Sequence, residues 1–198
     1  VKNLYAAAAA LAFVASALAA APAQAAPAVS SAPSDKTPHC VHDVTGAKPT
    51  TCYSSFREAI RQATGGRVTD APLNSRAAMN DKAFEAKLNA AAAQSSLTGL
   101  ADADTIISIE YMDRDYEGED QIWQATRGCP DNNINDVDHE IGDVGWSDNQ
   151  ISSFRGYANC WVKHWQYENF TGASVGPYSA RSYIGDAMEN RTTSIQWT

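Results

Sequence analysis

One turn-and-hexad pattern occurs twice in the second half of this 198-residue chain. The first copy reads Tyr111…Tyr116-Glu117-Gly118 and then Asp148-Asn149-Gln150-Ile151-Ser152-Ser153. The second reads Trp165…Phe170-Thr171-Gly172 and then Glu189-Asn190-Arg191-Thr192-Thr193-Ser194. An offset of 54 residues aligns the two aromatic–x4–aromatic–x–Gly turns, and one of 41 aligns the hexads. Repetition of this kind predicts a duplicated β-motif. The hydroxyls and carboxamides of the hexads are hard oxygen donors, the ligand type that suits Ca²⁺.

Strand signals surround both copies. The runs Ile106–Tyr111, Gln121–Gln124, Ile151–Phe154, Cys160–Val162, Ser182–Ile184 and Thr193–Trp197 are short, β-branched or aromatic, and separated by polar turns. Their spacing predicts a two-sheet antiparallel sandwich with Greek-key connections.

The preceding sequence has a different character. Residues 1–25 read as an export signal: Lys2, an Ala-rich apolar stretch, and the small-x-small site Ala23-Gln24-Ala25. Pro22 and Pro27 interrupt the apolar run and argue against a membrane anchor. Residues 26–38, with three prolines among Ala and Ser, read as a flexible leader. Residues 39–104 predict a small helical region. Ser54 or Ser55 caps a helix over about Phe56–Ala63, whose apolar positions recur at i, i+3, i+4 and i+7, and Gly65-Gly66 ends it. A second helix is predicted over about Asp81–Gln94. All five tryptophans lie beyond residue 120, so this region lacks the bulk for a large core of its own and is expected to dock on the next domain or to be loosely ordered.

Four cysteines in an exported chain predict two disulfides. The pairing Cys40–Cys52 and Cys129–Cys160 keeps each bridge within one unit, and two other pairings are open on paper. No Cys pair has C-x2-C spacing and the four histidines are scattered, which argues against zinc. Without Lys2 the chain carries 14 basic and 23 acidic side chains, and residues 105–198 hold 15 of those acids against 6 bases. An acidic half of this kind argues against a phosphate-tracking nucleic-acid surface or an anionic-membrane surface and is compatible with cation binding.

At the repeated turns and hexads the chain resembles the βγ-crystallin superfamily, over residues 105–198. The resemblance implies a mainly β fold: a two-motif Greek-key βγ-crystallin-like sandwich, here preceded by the small α-helical, disulfide-containing N-terminal region. Tyr111 and Trp165 take the place of the family's hairpin aromatic, Gly118 and Gly172 that of its glycine, and both hexads fall at its Asx–Asx–x–x–Ser/Thr–Ser stretch. Microbial members commonly bind two Ca²⁺ ions per domain. Carried over, Gln150 and Arg191 are expected to donate main-chain oxygens, and Ser152 and Thr193 hydroxyls. Asp148, Asn149 and Asn190 are expected to supply side-chain oxygens or orient the ligands, and Met112 and Gln166 hairpin carbonyls. Extracellular sites of this type bind weakly, at about 10⁻⁴–10⁻³ M. Glu189 departs from the family's Asn or Asp and is expected to weaken the second site. The competing reading is that both hexads are turn chemistry, with Asx and hydroxyl side chains bonding local backbone.

Other candidates are poorer. Asp131, Asn133 and Asn135 fall at positions one, three and five of an EF-hand-like loop, but Asp136 stands where Gly is required and Gly142 at the twelfth position. A polar insertion between strands is the better reading. His42 beside Asp43, and His139 between Asp138 and Glu140, have acid–base chemistry without a catalytic motif around them. His164 falls in a strand and reads as a packed residue. The sequence thus predicts a secreted, monomeric, non-enzymatic Ca²⁺-binding protein. The alternative is an extracellular protease inhibitor or killer-toxin-like protein on the same fold, presenting the Val41–Thr51 loop or the stretch near Cys129 to a secreted protease.

Overall fold

The computed structural model of the chain describes residues 37–98, 104–131 and 133–198. The export signal and most of the leader lie outside the described residues. Among the described residues, ten strands form two sheets: β1 His39–Asp43, β2 Thr51–Tyr53, β3 Thr105–Tyr111, β4 Asp120–Ala125, β5 His139–Ile141, β6 Ser153–Gly156, β7 Val162–Tyr167, β8 Thr171–Tyr178, β9 Ala180–Arg181 and β10 Ser194–Trp197. The larger sheet runs β2-β1-β4-β3-β6-β9 and the smaller β5-β10-β7-β8. Strands β3, β4, β6 and β9 pair antiparallel, as do all four of the smaller sheet.

Between the sheets lies a core of Ile107, Trp123, Phe154, Val162, Ile195 and Trp197, closed at one end by Ile184 and Met188. A second core covers the opposite face of the larger sheet. There, helices α1 Phe56–Ala63, α2 Ser75–Met79 and α3 Lys82–Thr98 place Phe56, Ile60, Met79, Phe84 and Leu88 against Ile109, Tyr111 and Ile122. The result is three layers, and it explains why every residue of β3 and β4 is buried. A strand covered on one face alternates with solvent; a strand covered on both faces does not.

The helices begin where local chemistry dictates. Ser55 accepts from the Glu58 amide, Asn74 from that of Ala77, and Asp81 from those of Ala83 and Phe84. Helix α2 falls where the sequence reading placed none: its five residues are too few to show a period. The N-terminal region contributes strands as well as helices. β1 pairs parallel with β4, setting His39 beside Asp120 and Asp43 beside Gln124, while β2 pairs antiparallel with β1. The disulfide Cys40–Cys52 joins β1 to β2, and Cys129–Cys160 ties the loop after β4 to the entry of β7.

Two strand expectations are corrected. Ser182–Ile184 is an irregular segment whose Ile184 turns into the inter-sheet core, and the neighbouring strand is β9. The long strand β8 contains Gly172, Gly176 and Pro177, breakers that mask a strand in sequence. No helix among the described residues is long and apolar enough to cross a membrane.

Candidate metal centre

The repeat seen in sequence is a repeat in geometry. Each hairpin carries two consecutive residues with left-handed backbone before its glycine: Asp115 and Tyr116 (φ 57° and 62°) in the first, Asn169 and Phe170 (φ 53° and 63°) in the second. Gly118 and Gly172 follow at φ 78° and 82°. A Cβ at Gly118 would stand 2.7 Å from an Asp113 carboxylate oxygen, and one at Gly172 2.6 Å from the Tyr167 ring, so both positions require glycine twice over.

The last residue of each hexad pins its own hairpin. Ser153 Oγ accepts from the Tyr116 amide at 3.1 Å and donates to Asp113 O at 2.6 Å; Ser194 Oγ accepts from the Phe170 amide at 3.1 Å and donates to Tyr167 O at 2.7 Å. The preceding residue hangs from the hairpin's first aromatic: Ser152 N–H donates to Tyr111 O, and Thr193 N–H to Trp165 O, both at 2.9 Å.

The hydroxyls then cross between motifs. Thr193 Oγ1 donates to Asp148 Oδ1 at 2.6 Å, and Ser152 Oγ to Asn190 Oδ1 at 3.2 Å. Backbone bonds run the same way, from Asn149 N–H to Thr192 O and from Asn190 N–H to Ile151 O. Asn149 and Asn190 both have left-handed φ, 57° and 53°, which asparagine tolerates better than most residues. Two mixed clusters follow. One gathers Asp148 and Asn149 with Thr193, next to Gln166. The other gathers Glu189 and Asn190 with Ser152, next to Met112.

The other expected ligands fall around these clusters. Gln150 and Arg191 follow the left-handed asparagines, and their carbonyl oxygens accept no hydrogen bond from the described residues. Gln166 lies at a register shift in the β7–β8 ladder, with its own side-chain oxygen taken by the Ala173 amide. Met112 follows β3 and bonds Glu119 O across the first hairpin.

The clusters differ in charge. Asp148 receives the Thr193 hydroxyl on one oxygen and the Asn149 side-chain Nδ2 on the other at 2.8 Å, and it makes no ion pair among the described residues. Glu189 instead meets Arg114 of the first hairpin, Nε to Oε1 at 3.1 Å, while its Oε2 is buried with no hydrogen-bond partner. The Arg114 guanidinium lies 3.8 Å above the Tyr183 ring and donates to the Tyr183 hydroxyl at 3.0 Å. Sequence reasoning missed Arg114 and Tyr183. The signal was present: 54 residues on, the second hairpin has Glu168 where the first has Arg114.

Among the described residues no group of three or more His, Cys, Asp and Glu side chains is placed to hold a metal. Any cation here is held by one carboxylate with amide, hydroxyl and carbonyl oxygens, a donor set for hard ions. The Asp131–Glu140 stretch is turn chemistry where it is described: Asp131 accepts from the Asn133 amide, Asn133 from that of Asn135, and Asp138 pairs with Arg127 at 3.2 Å. His139 bonds Arg127 O, and burial together with the nearby Arg127 charge holds its pKa below the usual value. Burial likewise lowers the pKa of His42, which stacks on Trp123 with centroids 4.5 Å apart. His164 is fully buried against Glu110.

No family model matches the chain, and no curated protein matches it. Among solved structures, a βγ-crystallin domain from Clostridium beijerinckii is similar, at 15% identity over 46% of this chain and 95% of that one, with a TM-score of 0.35. A βγ-crystallin domain from Flavobacterium johnsoniae shares 20% identity over 46% and 93%, with a TM-score of 0.34. The N-terminal domain of protein S shares 14% over 46% and 94%, with a TM-score of 0.35. With two hairpin-and-hexad motifs bonded crosswise over a two-sheet sandwich, residues 105–198 have a βγ-crystallin-like fold.

Proposed function

We propose that the protein is secreted and non-enzymatic, and binds Ca²⁺ at its crossed hexads, where the ion ties the two motifs together and raises stability outside the cell. The observation that carries this reading is the crossing itself. Asp148 and Thr193 come from different motifs yet stand 2.6 Å apart, and the Gln150 carbonyl two residues after Asp148 accepts no hydrogen bond from the described residues. A cation coordinated by both would close the seam between the motifs. Such an ion stabilises by mass action, about 2.7 kcal/mol at a hundred times its dissociation constant. Turn chemistry alone accounts for Ser153 and Ser194, which satisfy local backbone. It accounts less well for Asp148, a carboxylate with no cationic partner among the described residues.

The test is calorimetric titration of Ca²⁺ into chelator-stripped protein, with thermal melts in calcium and in EDTA. Thr193→Ala is expected to weaken binding at least tenfold, and alanine at Asn133 or Asn135 to leave it unchanged. Equal losses, or no binding heat in the parent protein, would overturn the assignment.

A second reading is supported by the loop between β1 and β2. Residues 45–52 are exposed, and Cys40–Cys52 closes the loop at its base. A rigid exposed loop of that kind suits an inhibitor of a secreted protease. The reading predicts a stoichiometric complex that protects residues 45–50 from cleavage, and digestion of the loop would sink it.

A further inference from the structure

The two departures of the second cluster are one feature. Where the first hairpin carries Arg114, the second carries Glu168, and where the first hexad opens with Asp148, the second opens with Glu189. In the fold, Arg114 and Glu189 meet at the junction of the first hairpin with the second hexad, the junction that Ser152 and Asn190 also span. The longer arm of Glu189 is what reaches the guanidinium. Tyr183 holds that guanidinium from beneath by its ring and from the side by its hydroxyl, which itself bonds Asp186.

We infer that the second motif carries its cation covalently: Arg114 stands in for a metal ion there, and the protein takes one Ca²⁺, at the Asp148–Thr193 cluster. The inference rests on the calcium reading above. The physical grounds are those of any ion-pair substitution. A guanidinium is permanently charged, planar and weakly hydrated, and here it reaches Glu189 Oε1 through Nε while it stacks on the Tyr183 ring. The Glu189 side chain is 21% exposed, against 53% for Arg114, so the carboxylate sits in the seam while the cation closes over it. An ordinary surface pair would stitch two neighbouring side chains. This one joins the same two motifs that a shared ion would join, and does so without any ion. At the first cluster the equivalent of Arg114 is Glu168, an exposed acid, which supplies no built-in cation and adds negative charge that attracts a free one.

The experiment is calcium calorimetry on the full chain, with Ca²⁺ itself as titrant. The parent protein is expected to bind one ion. Thr193→Ala is expected to weaken that binding at least tenfold, and Ser152→Ala to leave one ion bound. R114Q/E189D is expected to bind a second ion, and R114Q to melt several degrees lower than the parent in EDTA. Two ions in the parent would overturn the inference and leave the calcium reading standing. Loss of the heat in Ser152→Ala but not in Thr193→Ala would overturn it too, by placing the ion at the wrong motif. No heat in any variant would overturn the calcium reading itself. Should R114Q/E189D fail to fold, the Thr193 and Ser152 pair decides alone.

Discussion

A chain of buried polar groups runs between the sheets from Trp197 to His164. Trp197 Nε1 donates to Ser108 Oγ at 2.9 Å, Ser108 Oγ donates to Glu110 Oε1 at 2.7 Å, and Glu110 Oε2 bonds His164 Nε2 at 2.9 Å. Glu110, His164, Ser108 and Trp197 are all fully buried, and His164 packs on Phe154 with centroids 4.4 Å apart. Removing one member of a buried, hydrogen-bonded acid–base pair strands the other, at a cost of about 3–5 kcal/mol. His164→Leu should therefore destabilise by that amount. Glu110→Leu should cost about 2–4 kcal/mol, since it leaves the imidazole and the Ser108 hydroxyl without their acceptor. The double substitution removes both ends and leaves only the Ser108 proton unsatisfied, about 1–3 kcal/mol. The singles therefore sum to more than the double by at least about 2 kcal/mol, a coupling of the size contacting residues show. Urea denaturation of the four proteins reads this directly: with a slope of about 1–3 kcal/mol per molar, His164→Leu should move the midpoint by about 1 M or more. Additivity within about 0.5 kcal/mol would refute the reasoning, because the pair would then not be acting as one unit.

Two further expectations use the same logic at other places. Ser153→Ala and Ser194→Ala each unpair a hairpin amide and a hairpin carbonyl, and each should cost about 1–3 kcal/mol in urea unfolding; a large asymmetry between them would deny the equivalence of the two motifs. His42 has its pKa lowered by burial, so the unfolded chain takes up its proton first as pH falls. The stability it contributes is full above the usual value of 6.5 and is lost as pH drops through the folded-state value. Melting midpoints between pH 8 and 5 should fall less steeply for His42→Gln than for the parent protein, and parallel curves would remove His42 from the account.

The sandwich half was legible because its constraints are local and occur twice. A glycine after two left-handed residues, and a serine that must reach back to the turn, leave the same residues at the same spacing in both motifs. The helix over Phe56–Ala63 was legible for a similar reason, since its period and its Ser55 cap lie within ten residues. What the sequence hid is non-local. Nothing around His39–Asp43 announces a parallel partner at Asp120–Ala125, because register across some eighty residues leaves no local trace. Ser108 and Glu110 interrupt an apolar strand as a surface face would, yet a register shift between Ile106 and Ser108 turns them into the inter-sheet space. Arg114 could have been found by aligning the hairpins residue by residue. Its meaning depends on Glu189, 75 positions away.

The pairing of β1 with β4 also bears on what this protein must avoid. β4 carries Ile122, Trp123 and Ala125 in a run suited to strand pairing, and in the larger sheet its second edge is closed only by β1 and, beyond it, β2. An uncovered edge of that composition is a template for other chains. The N-terminal segment thus acts as a guard strand, riveted to its neighbour by Cys40–Cys52 and finished with the short β2. Removal of the β1–β2 hairpin would leave every hexad residue in place, but would open the β4 edge to pairing with other chains.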